Sequence, residues 1–418
     1  MKPIHNVLTG RVAATVCAML GVGFCATPAL ATTCVDNVRL LDGFTDQIGA
    51  ICFDATGILS VGGSVDGSAA VVDGTGMVLT PGFIDTANAF GLVEISAEAP
   101  TVDSDAGGLE PVRASFMALD AYNPWSSLAG VARSGGVTGS VVVPSGGIVA
   151  GLGGFVHLPE GAPTAHVVEP AAVMAFHLDE WSADYAGGAR GTVFGLLRDL
   201  VADAAFLQAH RVEYDRGQMR ELAAGAADLD AIHRVVSGEV RALVHVNRAA
   251  DIRTLLELSA DWAQPPVIVG GAEAWAVAAL LAERGATVVL NPLMNLPSSF
   301  DMLGARDDNA ALLVAAGVPV AFASSDTHNA RTVRQLAGNA VRAGLPYQAA
   351  IAGLTVEAAA TAGVHDRFGR LQVGHVADLV LWTGDPLEFS SGVHAMWIQG
   401  EQQSLAHRQQ ALFERYRP

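Results

Sequence analysis

Short apolar runs separated by turn residues dominate residues 35–78 of the chain. One of the turns that separate these runs begins at Asp54 and ends at Gly57. An acidic residue in first place and a glycine in last place are typical of a tight turn. This spacing predicts a small antiparallel β unit.

From about residue 80, apolar runs of strand length alternate with segments of helical periodicity. The clearest predicted strands are residues 140–144, 173–176, 242–246, 267–270, 287–290 and 318–323. The clearest predicted helices are residues 251–263, 272–284, 308–316 and 331–343. The glycine-rich residues 151–154 are predicted to form a loop. Such alternation implies parallel βα units, and a run of this many favours a closed (β/α)8 TIM barrel over an open sheet.

Strand-like runs return near residue 369, so the β unit is split by the barrel. The fold class predicted is α/β, a (β/α)8 TIM barrel with a small split β-sandwich formed by the N- and C-terminal segments. The predicted boundaries are a signal peptide at 1–31, the sandwich at 32–80 and 369–403, the barrel at 81–368 and a C-terminal helix at 404–418.

The first residues have the composition of an export signal. Lys2 and Arg11 give the first eleven residues their positive charge. Residues 12–26 are apolar, and Ala29-Leu30-Ala31 is a small-x-small cleavage site. This arrangement is typical of a secretory signal peptide, whereas a membrane anchor would need a longer apolar run. The expected location is therefore periplasmic or secreted.

Cys34 and Cys52 remain after signal removal. We favour a disulfide between them, because an oxidising compartment would let it form, and the alternative is two reduced cysteines packed in a small sheet. The mature chain keeps 22 arginines against 42 acidic residues, a formal net charge of −20. Such a charge disfavours nucleic acid and anionic membranes as partners.

One segment points to a family. Pro81-Gly82-Phe83-Ile84-Asp85 resembles the first barrel strand of the amidohydrolase superfamily, and especially its imidazolonepropionase-like and prolidase-like branch. Further matching segments follow in order: Gly135–Thr138, His245–Arg248, Gly271–Ala274, Ser325–Arg331, Gly369–Leu381 and Asp385–Leu387. The resemblance implies hydrolysis of a carbon–nitrogen bond at a metal site in the barrel mouth.

The superfamily's metal-binding pattern is degenerate here. Its two first-strand histidines fall on Ala87 and Ala89, and its sixth-strand histidine falls on Gly270. A methyl group or a hydrogen has no lone pair to offer a metal. The only lysine of the chain is Lys2, so no lysine is left to carry the carbamate that bridges two metals in many relatives.

Other positions of the pattern survive. The fifth-strand histidine falls on His245 and the eighth-strand aspartate on Asp326, and His177 also follows an apolar strand. Side chains at the carboxyl ends of barrel strands meet at one mouth. These three could bind one divalent metal, with zinc preferred, and Asp179 or Glu180 is a further candidate ligand. Alternatively, no metal binds and the histidines are hydrogen-bonded core residues.

A metal-free hydrolase is a further alternative. Asp326 beside His328 would act as a general base while His245 polarises a carbonyl group. Asn247, Arg248 and Arg331 are the candidate substrate-binding residues. The competing role for Asp326 is to cap the helix that follows it.

The function predicted is an exported amidohydrolase-like hydrolase acting on a carbon–nitrogen bond, with an atypical or mononuclear metal site. The alternative is a catalytically inactive relative that acts as a periplasmic binding or assembly protein, which the lost donors favour. The expected partner is a small amide-like substrate or ligand, with no nucleic acid, no membrane after signal cleavage, and a homo-oligomer as a further expectation.

Overall fold

The computed structural model of the chain describes residues 31–63, 65, 69–105, 110–161 and 166–417. The predicted signal peptide lies outside these residues, except for its last position. The described residues belong to one compact unit. Among them, no helix has both the length and the apolar character needed to cross a membrane.

The strands are β1 (Thr33–Leu41), β2 (Asp46–Asp54), β3 (Gly57–Gly63), β4 (Ala70–Asp73), β5 (Val78–Pro81), β6 (Phe83–Asn88), β7 (Val137–Val142), β8 (Val149–His157), β9 (Val167–His177), β10 (Arg241–Val246), β11 (Val267–Gly270), β12 (Val288–Leu290), β13 (Val320–Phe322), β14 (Leu379–Trp382), β15 (Val393–Ile398) and β16 (Glu401–Gln402). The α-helices are α1 (Leu128–Arg133), α2 (Arg190–Ala209), α3 (Arg211–Asp215), α4 (Ala226–Val236), α5 (Ala249–Leu258), α6 (Ala278–Arg284), α7 (Asn309–Ala315), α8 (Val333–Arg342), α9 (Tyr347–Leu354), α10 (Val356–Thr361) and α11 (Arg408–Tyr416).

Strands from both ends of the chain form one sheet, in the order β16-β15-β14-β5-β1-β2-β3, with β4 paired to β1. The two ends meet where β5 runs antiparallel to β14. The expected split β unit is therefore present, but as one continuous sheet rather than the two packed sheets of a sandwich. Its side chains form an apolar cluster that includes Val35, Phe53, Leu379 and Trp397.

The disulfide favoured from the sequence is present in this sheet. Cys34 on β1 lies directly opposite Cys52 on β2 in the antiparallel register. Their sulfurs are 2.06 Å apart. Both residues are buried, so the bridge joins the two strands from inside the sheet.

The second sheet is the barrel, in which each strand from β6 to β13 pairs with the next one along the chain. The parallel pairs are β6–β7 and β9 to β13, whereas β8 runs antiparallel to both β7 and β9. The fold is thus TIM-barrel-like, but the regular (β/α)8 alternation is incomplete. Among the described residues, no helix lies between β7 and β8 or between β8 and β9.

Strand β8 was not predicted because it is rich in glycine. Gly151 to Gly154 was expected to be a loop, and it lies inside this strand. A Cβ atom at Gly153 would sit 2.1 Å from the Val142 carbonyl oxygen, and one at Gly154 would sit 1.9 Å from that of Glu169. Glycine is therefore required here by the close approach of neighbouring backbones.

Side chains at the start and end of the barrel sheet draw it toward closure. The Thr86 hydroxyl on β6 donates to the carbonyl oxygen of Phe322 on β13. The Asp85 carboxylate accepts from the Ser324 backbone N–H at 2.7 Å and from its hydroxyl at 2.6 Å. Because β6 and β13 are the terminal strands of the sheet, these bonds bring its two edges together.

The barrel interior is filled by apolar side chains from its strands, including Ile84, Val173, Leu243, Val289 and Ala321. A larger apolar cluster lies between the strands and the surrounding helices. Parallel strands covered on both faces read as continuous apolar runs, which is why β10 and β11 were recognised from the sequence. The carboxyl ends of these strands form the mouth of the barrel.

Candidate functional site

Two histidines stack against each other at the barrel mouth. His177 ends β9 and His245 lies near the end of β10, and the parallel register places the two residues side by side. Their rings have centroids 4.5 Å apart and an interplanar angle of 17°. The structure therefore brings His177 and His245 together at the mouth.

Both rings have an unpaired nitrogen. The Nε2 atoms of His177 and His245 are buried, and neither has a hydrogen-bond partner among the described residues. His177 makes a hydrogen bond to the Pro144 carbonyl. Since Nε2 is unpaired, Nδ1 is the donor to that carbonyl, and Nε2 is left with a lone pair directed away from it.

Burial keeps these rings neutral. It lowers the pKa of His177 below the usual histidine value, although the charge of Asp179 acts in the opposite direction. It lowers the pKa of His245 well below that value, and the neighbouring His177 adds to the effect. Both rings are uncharged at pH 7 and can accept a hydrogen bond.

Two adjoining cavities open at the mouth, with volumes of about 320 Å³ and 520 Å³. Ala87, His245 and Ser325 line both of them. The smaller cavity reaches past Asn247 toward β11 and β12, and the larger one contains His177 and Asp326. The volumes are in the range of small-molecule sites.

The donor positions of the superfamily do not fit a metal. Among the described residues, no group of three histidine, cysteine, aspartate or glutamate side chains is placed to hold a metal ion. Ala87 and Gly270 line the cavities without offering a donor atom. The position that a Cβ of residue 270 would take is 2.6 Å from Asn247 Oδ1, so Asn247 fills the space of the lost histidine.

Asp326 and His328 form part of a helix cap rather than a pair directed at the cavity. The Asp326 carboxylate accepts from the His328 backbone N–H at 2.9 Å and from Asn329 Nδ2 at 2.6 Å. The His328 ring contacts the Glu94 carbonyl oxygen through Nε2 at 2.9 Å. Asp326 lines the larger cavity, whereas His328 lines neither cavity. The capping role considered from the sequence is the one observed.

The predicted substrate-binding residues separate into two groups. Asn247 lines the smaller cavity, next to His245. Arg248 lies 3.5 Å from Asp251 at the start of α5, and Arg331 donates to Gln409 at 3.2 Å. Neither arginine lines the two cavities of the mouth. Of the three, only Asn247 is placed to contact a ligand there.

The loop after β12 forms a wall of the smaller cavity and is tied to the loop after β9. Asp301 is buried, accepts from the Glu180 backbone N–H at 2.5 Å, and pairs with Arg190. Glu273 accepts from Gly304 N–H at 3.0 Å. The sequence did not reveal these carboxylates as loop anchors, because their partners are distant along the chain.

Asp85 is a buried carboxyl group on β6. Burial raises the pKa of its carboxyl group to about 6, although hydrogen bonds from Ser324 and Asn88 act in the opposite direction. The charge of Asp326 also contributes to this rise. Asp85 lines neither cavity, so its carboxylate serves barrel closure rather than ligand contact.

Comparison with known proteins supports a common ancestry. Residues 245–405 match the model of the amidohydrolase family. The imidazolonepropionase of Cupriavidus taiwanensis is 33% identical over 196 residues, which are 44% of this chain and 37% of that protein. The chain spans 9% to 37% of the length of the curated relatives it matches.

Solved structures share the fold over most of the chain. An amidohydrolase from Thermotoga maritima superposes with a TM-score of 0.79 at 24% identity, covering 88% of this chain and 99% of that one. An adenosine deaminase from Xanthomonas campestris that contains bound zinc has a TM-score of 0.53 at 15% identity, covering 89% and 92%. Together with the family model and the imidazolonepropionase relatives, this shared fold confirms the resemblance to the amidohydrolase superfamily predicted from the sequence.

Proposed function

Starting from this superfamily relationship, we propose that the protein binds a small amide-containing molecule at the barrel mouth and lacks metal-dependent hydrolysis of carbon–nitrogen bonds. One observation carries this proposal. Two neutral, stacked histidines present unpaired Nε2 atoms beside open cavities, and the described residues supply no third metal donor. The site keeps the means to recognise an amide and lacks the usual means to hydrolyse it.

The recognition chemistry follows from the protonation states. A lone pair on His177 Nε2 or His245 Nε2 would accept a hydrogen bond from an amide N–H group. A buried acceptor without a partner costs free energy, and a ligand that supplies the donor removes that cost. The Asn247 side chain, on the same wall as His245, would bond the ligand's other polar atoms.

Hydrolysis would need an activated water molecule. Metal-bound water is the nucleophile that a typical zinc site of this kind provides, and the donors present do not fit such a site. A metal-free route would need a general base with a pKa near neutrality. Burial makes His245 a weak base, and the Asp326 carboxylate is already engaged in the cap.

The test combines metal analysis with binding. The mature protein, purified without chelator or nickel resin, is compared with His245→Ala for zinc, manganese and iron content. We expect less than a tenth of an equivalent in both. Nitrogen-15 histidine spectra recorded during titration with N-methylacetamide should then show Nε2 resonances that shift in the wild type. The shifting His245 resonance should be absent from the spectrum of the variant.

One equivalent of metal that disappears in His245→Ala would overturn this proposal. It would favour the second candidate, a hydrolase with a single metal on His177 and His245, which their two free Nε2 atoms support. An unchanged histidine spectrum at high probe concentration would also contradict amide binding. His210→Ala is a suitable control, because that ring contacts the Phe206 carbonyl oxygen on helix α2.

We also propose that the protein is exported. The signal-like composition of residues 1–31 and the buried Cys34–Cys52 disulfide support this location. Amino-terminal sequencing of protein from the periplasmic fraction should begin at Thr32. Full-length chain recovered from the cytoplasm with two free thiols would contradict export.

A further inference from the structure

Large apolar side chains are exposed on the two loops that contribute Asp179 and Met294 to the lining of the smaller cavity. The apolar rim consists of Trp181, Leu293, Met294, Leu296, Phe300 and Leu303, which are between 50% and 79% exposed. Trp181 follows β9, and the other five belong to the loop after β12. Exposed apolar side chains gathered in one region usually mark a binding surface, whereas single ones need no explanation.

The rim is held in place by polar contacts beneath it. Asp301, next to Phe300, bonds the backbone N–H of Glu180, next to Trp181, and so joins the two loops. Glu273 accepts from Gly304, next to Leu303. Because these carboxylates fix the backbone on both sides, the rim is presented on an ordered support rather than on free loops.

The rim is continuous with the cavity. Met294 belongs to the rim and also lines the cavity, and Met302 lies on the same wall between Asp301 and Leu303. Deeper in, Val269 and Leu290 continue the apolar wall, and His245 and Asn247 form a polar part of the lining. The site therefore has a polar part inside and an apolar surface outside.

The charges around this cavity disfavour an anionic ligand. Asp179 and Asp307 are part of its lining. The one arginine in the lining, Arg306, is paired with Asp308 and lies over the Trp275 ring at 4.8 Å. An incoming carboxylate or phosphate would meet acidic groups and a cation that is already neutralised.

We propose that the ligand of the barrel mouth is a neutral amide with an extended alkyl group, held by its amide at His245 and by its alkyl chain on the apolar rim. This inference rests on the proposed amide binding and specifies the chemical class of the ligand. The ligand's alkyl chain would cover rim side chains that are otherwise exposed to water. This favours binding in proportion to the apolar area removed from water.

The test uses N-butylacetamide and N-octylacetamide as probes, with titration calorimetry of the full mature protein. Each buried methylene contributes about 0.8 kcal/mol, or about a fourfold change in affinity. The four additional methylenes should therefore increase affinity at least about tenfold, even if the rim buries only half of them. Phe300→Ser should remove most of that increase.

Phe389→Ser is the matched control, because Phe389 is 81% exposed and lies outside the rim, whereas Phe300 is 79% exposed. It should leave both affinities unchanged. Equal affinities for the two probes would overturn the inference and leave amide binding intact. No binding of either probe, at concentrations that approach their solubility, would instead overturn the amide-binding proposal on which it rests.

Sedimentation equilibrium gives an independent check on the surface. If Phe300→Ser converts a dimer into a monomer without changing affinity for either amide, the rim is an interface between copies of the chain and the inference is wrong. An oligomeric state that is the same in wild type, Phe300→Ser and Phe389→Ser supports ligand binding as the role of the rim.

Discussion

The buried Asp85 carboxyl group should make stability fall as pH rises from 4.5 to 8. Asp85 is fully buried, and burial raises its pKa to about 6. In the unfolded chain an aspartate has a pKa of about 3.9. The unfolded state therefore releases this proton at lower pH than the folded state does.

The sign and size of the change in unfolding free energy with pH follow from the linkage between proton binding and folding. For an acid whose folded pKa is raised, the folded state has its full relative stability below the unfolded value and loses it as pH rises through about 6. A difference of about two pKa units corresponds to about 3 kcal/mol in total. About 2 kcal/mol of this falls between pH 4.5 and 8, since part is already lost at the lower value.

Asp85→Asn isolates this effect, because asparagine does not titrate. The variant also loses hydrogen bonds to Ser324 and disturbs the contact with Asn88, but that cost is nearly the same at every pH. The informative quantity is the difference in unfolding free energy between wild type and variant at each pH. It should decrease by about 2 kcal/mol from pH 4.5 to 8 as the wild type loses its advantage.

The assay is urea unfolding at four pH values, followed by tryptophan fluorescence with the disulfide intact. Other titrating groups are shared by both proteins, so their contributions cancel in the difference. A difference that stays constant within about 0.5 kcal/mol, or one that grows with pH, would refute the assignment of a raised pKa to Asp85. Carbon-13 NMR of the aspartate carboxyl groups would then identify its true titration.

Three further changes test other parts of the structure. Replacing Cys34 and Cys52 by alanine removes a bridge with a sequence separation of 18 and should lower the free energy of unfolding, measured in urea, by about 3 kcal/mol. Reduction of the wild-type disulfide should give a similar loss. Gly270→His should bind no additional zinc by mass spectrometry and should lower Tm, since φ is +90° there and an asparagine side chain occupies the space. Arg190→Met should accelerate amide exchange in residues 293–303 relative to the rest of the barrel, because it leaves the buried Asp301 carboxylate without its cation; unchanged exchange would show that the loop is held by other contacts.

The barrel strands that sequence predicted best are those buried on both faces. The prediction for residues 242–246 differs from β10 by one residue at its start. Helices 308–316 and 331–343 correspond to α7 and α8 with ends shifted by one or two residues. Their signals are local, since an apolar run or a helical period is visible without knowing the neighbours.

Features that depend on distant neighbours were missed. The glycines in β8 have the composition of a loop. The backbones that crowd them, and so require glycine, come from β7 and β9 and cannot be seen from the local sequence. At the site, His177 and His245 could be placed at strand ends because the apolar runs that precede them are visible in the sequence. The space taken by Asn247 and the apolar rim depend on loop geometry, which has no periodic pattern in the sequence.

The pairing of β5 with β14 has a consequence for the order in which the chain can fold. During synthesis, β5 emerges with one edge exposed, and its partner follows only after roughly 300 further residues, or about 15–60 s at ordinary elongation rates. An unpaired edge is prone to pair with other chains. The nascent amino-terminal strands therefore need to stay unfolded or be shielded until β14 has been made, and a chain truncated before residue 379 should aggregate rather than form a stable barrel.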